Sequence, residues 1–179
     1  MQSERDEERL ASLAVVLPLA LTGFVVAAGC WTLFAVAGVH LRADLGLSSL
    51  QFGVLLAMPM AVSAILAIPA GLAAQRYGAR EVMLLCLCGL AVCMGILLLT
   101  NTYIGYLIAA AGLGLAGGFY GAGLQFVVSH CQPRRLGLVL GVFGSGVTGA
   151  GFNYYLVPLF HEAFSWQGVP LAYLITLLL

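Results

Sequence analysis

The chain contains no lysine, and Asp, Glu, Lys and Arg together make up only 8% of its 179 residues. A soluble domain carries about 25% charged residues, so this sequence lacks the means to cover a water-facing surface. Its formal net charge is zero. No basic cluster is long enough to grip a phosphate backbone, which argues against nucleic acid as a partner. Zinc-ligand spacings, phosphate-binding loops and dinucleotide fingerprints are all missing. Ser, His and acidic residues do not converge on one membrane face, so no catalytic arrangement stands out and no enzyme activity is expected. Five cysteines (Cys30, Cys86, Cys88, Cys93 and Cys131) sit in or at the ends of apolar runs. Cys86 and Cys88 are two apart and point to nearly opposite sides of a helix, so they cannot share a metal. They read as small buried hydrophobes. No metal and no cofactor is expected.

What is present is apolar. Hydrophobic residues make up 62% of the chain, 23 residues are glycine, and the mean hydropathy is +1.06. That composition, with its load of small residues, predicts an all-α polytopic membrane protein whose helices pack closely in lipid. Residues 1–11 form a polar N-terminal segment expected to lack fixed structure. Residues 12–179 read as one transmembrane bundle with apolar runs at about 12–39, 50–74, 82–99, 103–129, 136–160 and 168–179. The last run is expected to be an incomplete crossing, since a bilayer needs about 20 residues. Pro18, Pro59 and Pro69 are tolerable inside lipid-embedded helices.

Arginines gather in alternate connections. Arg5 and Arg9, Arg76 and Arg80, and Arg134 and Arg135 stand against Arg42 alone, six to one. The positive-inside rule then places the N-terminus and the even connections in the cytoplasm. Tyr103, Tyr106, Trp166 and Tyr173 lie near span ends and read as anchors at the membrane interface.

Polar residues within the spans are few: Ser63, Tyr120, Gln125, Ser145, Thr148 and Asn153 are the main ones. With Trp31 and Ala67 they form the candidate solute pathway. Such groups either hydrogen-bond within the bundle or line a cavity. For Ser and Thr the bond to the residue's own helix competes with solute contact. Trp31 and Tyr120 offer an aromatic wall or simple packing. Small residues recur at four-residue intervals on two helices. Gly114, Gly117, Gly118 and Gly121 mark one, and Gly137, Gly141, Ser145 and Gly149, with Gly144 and Gly146, mark the other. Both faces are expected to pack closely against neighbouring helices. No Asp, Glu, Lys or Arg lies inside any predicted span, so no intramembrane proton relay is supplied here.

Two stretches carry a family resemblance. The turn around Gly71, Gln75, Arg76, Gly78 and Arg80 resembles the signature between the second and third helices of the major facilitator superfamily, with Gln75 in place of the signature carboxylate. The fifth helix, Leu140 to Gly149, resembles the glycine-rich signature of the nitrate/nitrite porter branch. There Gly144, Gly146 and Gly149 match, and Val147 replaces an Asn. Ala67, two residues before Pro69, stands where those porters place an anion-binding Arg. The resemblance implies the N-terminal six-helix bundle of a secondary-active transporter in a bacterial cytoplasmic membrane. It would move a small solute, nitrate, nitrite or another small anion, by alternating access. It would need a second six-helix half, from the same gene or from another copy of this chain. The turn would bias one conformation of the carrier. The replaced residues keep two alternatives open: a truncated or non-transporting membrane partner, and a carrier of a neutral or organic solute.

Overall fold

The computed structural model describes the backbone of residues 2–164 and 168–178, with side chains at 14–38, 41–42, 45–159 and 168–178. Among the described residues there are nine α-helices and no strand. They are α1 (Gln2–Trp31), α2 (Leu33–Leu45), α3 (Ser49–Tyr77), α4 (Ala79–Leu99), α5 (Tyr103–Leu113), α6 (Leu115–His130), α7 (Leu136–Gly144), α8 (Gly149–Phe164) and α9 (Gly168–Leu178).

Local chemistry explains where several of them begin and end. The Ser48 hydroxyl accepts from the Gln51 N–H at 3.2 Å, and Gln51 Oε1 accepts from the Ser48 N–H at 3.0 Å. This reciprocal cap starts α3. Thr102 starts α5 by accepting from the Gly105 N–H at 3.2 Å, satisfying a donor that the first turn leaves free. Gly46 closes α2 at φ 60°, and Gly78 turns the chain between α3 and α4 at φ 103°. Both angles lie where a Cβ is strained and glycine is not.

Five stretches are long and apolar enough to cross a bilayer: Ala14–Gly38, Ser49–Tyr77, Ala79–Leu99, Tyr103–His130 and Pro133–Leu159. Gly168–Leu178 is a shorter apolar helix. Three of the five are jointed. α1 meets α2 at Thr32, α5 meets α6 at Gly114, and α7 meets α8 through a 3₁₀ turn at Ser145–Thr148. Phe34, Phe119 and Phe143 fill the interior, while Leu50, Ile68, Leu85 and Leu99 are exposed. An apolar surface around an apolar core suits hydrocarbon as the solvent.

Four expectations change. The turn expected around Gly71, Gln75, Arg76, Gly78 and Arg80 shrinks to Gly78, because helix continues through Gly71, Gln75 and Arg76 and restarts at Ala79. Capping and propensity carry α3 past the end of its apolar run. The N-terminal segment is helical from Gln2, as is much of the loop predicted after residue 39. Finally, Tyr106 and Tyr173 are not interface anchors, since they are 3% and 7% exposed. Tyr173 turns inward because Asn153 accepts its hydroxyl. Tyr103 does end near a span boundary, where its hydroxyl donates to the Gln51 carbonyl at 3.1 Å. Trp166 lies outside the described residues.

Candidate solute cavity

A half-open cavity of about 390 Å³ lies between the first, second, fourth and fifth spans. Phe24, Ala28 and Trp31 of α1 form one wall, and Met60, Ser63, Ala64 and Ala67 of α3 form another. Ala116, Gly117 and Tyr120 of α6 line a third side, and Gly144 and Val147 close the fourth. Each wall is one helical face. Positions 24, 28 and 31, then 60, 63, 64 and 67, follow the i, i+3, i+4, i+7 pattern.

The wall is apolar with a few polar exceptions. Ser63 is buried, and its hydroxyl donates to the Gly114 carbonyl at 3.0 Å. It thus joins α3 to the joint between α5 and α6, and its donor is already used. Tyr120 lies 5.0 Å from Phe24 and 5.9 Å from Phe143, ring centroid to centroid, and Phe24 and Phe143 stack at 5.2 Å. These three rings pack into one aromatic cluster, of which Phe24 and Tyr120 line the cavity and Phe143 lies buried behind them. The indole Nε1 of Trp31 is buried with no hydrogen-bond partner. A buried unpaired donor costs about 1–3 kcal/mol, so an acceptor would be favoured beside it. No charged residue lines this cavity.

Trp31, Ser63, Ala67 and Tyr120 are therefore brought together, and the other four pathway candidates lie elsewhere. Asn153 is fully buried at a different junction. Its Nδ2 donates to the Gly29 carbonyl at 2.7 Å and to the Thr32 hydroxyl at 3.0 Å, while its Oδ1 accepts from Tyr173. One side chain thereby ties α8 to the joint between α1 and α2, and to α9. Gly29 leaves room for the Tyr173 ring. Ser145 is exposed, and its hydroxyl donates to the Val142 carbonyl at 2.6 Å. Thr148 is exposed, and Gln125 is half-buried away from the cavity. The residues that sequence reasoning missed are Phe24, Ala28, Met60, Ala64, Ala116 and Val147. Counting back and forward by helical turns from Trp31, Ser63 and Tyr120 finds most of them.

The two glycine faces differ. A Cβ on Gly117 would stand 2.5 Å from the Ser63 carbonyl oxygen, and one on Gly121 would collide with the Ala67 carbonyl. A Cβ on Gly114 would strike Val62, and one on Gly118 would press on the Cys86 sulfur at 3.1 Å. Gly71 faces the Gly121 carbonyl at an ordinary 3.6 Å. On the fifth span, Gly146 meets the Phe24 ring and Gly149 meets the Val25 carbonyl. Around Gly137, Gly141 and Gly144, however, there is open space. The close packing expected at those three positions does not occur among the described residues. Gly137 and Gly141 are exposed, while Gly144 borders the cavity.

On either side of Gly78, Gln75 and Arg76 at the end of α3 and Arg80 at the start of α4 are exposed. Arg76 lies 5.4 Å from the centroid of the Tyr77 ring, a cation–π distance.

A family model described as Major Facilitator Superfamily matches residues 19–179. A probable nitrate/nitrite antiporter of Thermus thermophilus is 30% identical over 156 residues, covering 87% of this chain and 35% of that protein. A probable nitrate/nitrite transporter of Mycobacterium tuberculosis is 29% identical over 150 residues, covering 82% and 38%. A probable nitrate transporter of Staphylococcus carnosus is 26% identical over 159 residues, covering 88% and 39%. The chain thus spans little more than a third of the length of these relatives.

Proposed function

Since the chain belongs to the major facilitator superfamily, a family of membrane transporters, we propose that its cavity is one wall of the path taken by a nitrate- or nitrite-like anion. The chain is an integral membrane protein of transporter type and not an enzyme. The relatives' names supply the solute class. The observation that carries the reading is the wall itself: the Phe24 and Tyr120 rings line it, and an unpartnered indole N–H lies buried at Trp31. A small planar anion can lie against those rings and, once the indole turns its buried N–H toward the cavity, accept from Trp31. Charge remains to be matched, because a desolvated anion needs a positive partner or several donors. In this reading the cation comes from a second six-helix body facing the open side of the cavity, with the solute held between the two at the midplane. Transport then proceeds by alternating access, with the arginine-rich connections on the cytoplasmic side of a bacterial inner membrane.

The uncharged lining favours a second reading, a carrier of a neutral acceptor-rich solute. Labelled nitrate and nitrite uptake by the full-length protein in proteoliposomes separates the two. The anion reading expects uptake, and it expects Trp31→Phe to raise KM about tenfold, the value of one hydrogen bond to a charged group. No uptake by the unmodified protein, with uptake appearing in Ala67→Arg, would overturn it in favour of the neutral solute.

A further inference from the structure

Two residues that line the solute cavity, Ala28 and Trp31, lie next to the place where the first span breaks. Thr32 leaves helical geometry at φ −96° and ψ 7°. Its hydroxyl donates to the Ala28 carbonyl at 3.0 Å, a back-bond that often bends a helix. Asn153 reaches this break from the fifth span. Its amide bonds Gly29 and Thr32, and Trp31 stands between those two in the chain. Both amide donors are thereby used and Oδ1 is taken by Tyr173, so Asn153 has no donor left for a solute. Turning the amide over would set Oδ1 against the Gly29 carbonyl, acceptor to acceptor, which fixes one orientation. The bonds also run in one direction: Tyr173 donates to Asn153, Asn153 to Thr32, and Thr32 to Ala28. Each polarises the next in a medium of low dielectric. Earlier along α1 the same two spans are pressed together, Gly146 against the Phe24 ring and Gly149 against the Val25 carbonyl. A shift of Asn153 therefore moves the backbone that carries the indole.

We propose that Asn153 is a positioning residue of the solute cavity. It touches no solute, and it sets the backbone at Thr32 from which the Trp31 indole meets the cavity. Its effect on transport rests on the anion path proposed above; its effect on Trp31 does not.

The effect on Trp31 is read in the full-length protein labelled with 5-fluorotryptophan, in nanodiscs without solute. Loss of one fluorine resonance in Trp31→Phe assigns the signal. Asn153→Ala should shift or broaden it. Tyr173→Phe, which removes one hydroxyl and leaves the amide in place, should shift it by less. An unmoved Trp31 resonance in Asn153→Ala would overturn the proposal; should that variant not fold, an unmoved resonance in Tyr173→Phe would do so. The effect on transport is read as nitrate uptake per folded carrier, because a merely structural loss lowers the number of folded carriers and leaves KM alone. Asn153→Ala should raise KM about fivefold, the value of one ordinary hydrogen bond. Added to Trp31→Phe, it should change KM by less than about twofold, since both changes act through one contact. A fivefold rise in both backgrounds, or in neither, would refute the positioning role. No uptake by the unmodified protein would instead remove the anion path, and the fluorine result alone would decide the role of Asn153.

Discussion

The glycines of α6 and those of α7 follow the same small-residue spacing and have opposite surroundings. On α6 the missing side chains let the backbone of α3 come into contact, so that Ser63 and Ala67 present carbonyls where a Cβ would otherwise stand. On α7 the same economy of side chain meets nothing. Lipid offers no hydrophobic drive between helices, so dispersion from close backbone approach must hold the seam. The α6 face gains that contact within this chain. On α7, Gly137 and Gly141 are exposed, while Gly144 borders the cavity. A face of this kind is suited to a neighbour beyond the described bundle.

Substitutions sharpen this contrast, each read as a change in thermal unfolding of the detergent-purified protein. The largest effect is expected at Gly121→Leu. Its Cβ would meet backbone that cannot rotate away, so about 3 kcal/mol should be lost, the upper part of the range for overpacking. Asn153→Ala comes next, at about 2 kcal/mol, since it strands the Tyr173 hydroxyl and the Gly29 carbonyl together. Ser63→Ala should cost about 0.6 kcal/mol, the average for a hydrogen bond between membrane helices. A larger loss there would mean that the seam between α3 and α6 is held by its hydrogen bond more than by its glycines. Gly141→Leu should sit within about 0.5 kcal/mol of the unmodified protein, like an ordinary surface change. If it instead unfolds the protein as readily as Gly121→Leu, the two faces are equivalent and the comparison fails.

The spans were legible because a bilayer sets a minimum length for an apolar run, and few soluble sequences meet it with so little charge. Their joints were not. Glycine reads the same in sequence whether it thins a packed face, as at Gly121, or marks a break, as at Gly114. Thr32 gives no sign that the helix pauses there. The cavity was partly visible, since Trp31, Ser63, Ala67 and Tyr120 all fall along it. Asn153 was not separable from them by type. Its bond to Gly29 spans 124 positions in the chain, and its pairing with Tyr173 depends on where α9 docks. That same docking draws Tyr173 out of the interface role its position near a span end suggests. The arginine-rich turn was legible as chemistry and misjudged in extent, because helix capping is local and hydropathy windows average over it.

Gly78 carries one more implication. A single non-helical residue separates a helix of 29 residues from one of 21, and consecutive Cα atoms are only 3.8 Å apart. The end of the second span and the start of the third are therefore tied to the same depth, with no slack for one to enter the bilayer and the other to follow at leisure. During biosynthesis these two segments must be delivered as a hairpin, its bend fixed by the one residue type that tolerates the angle.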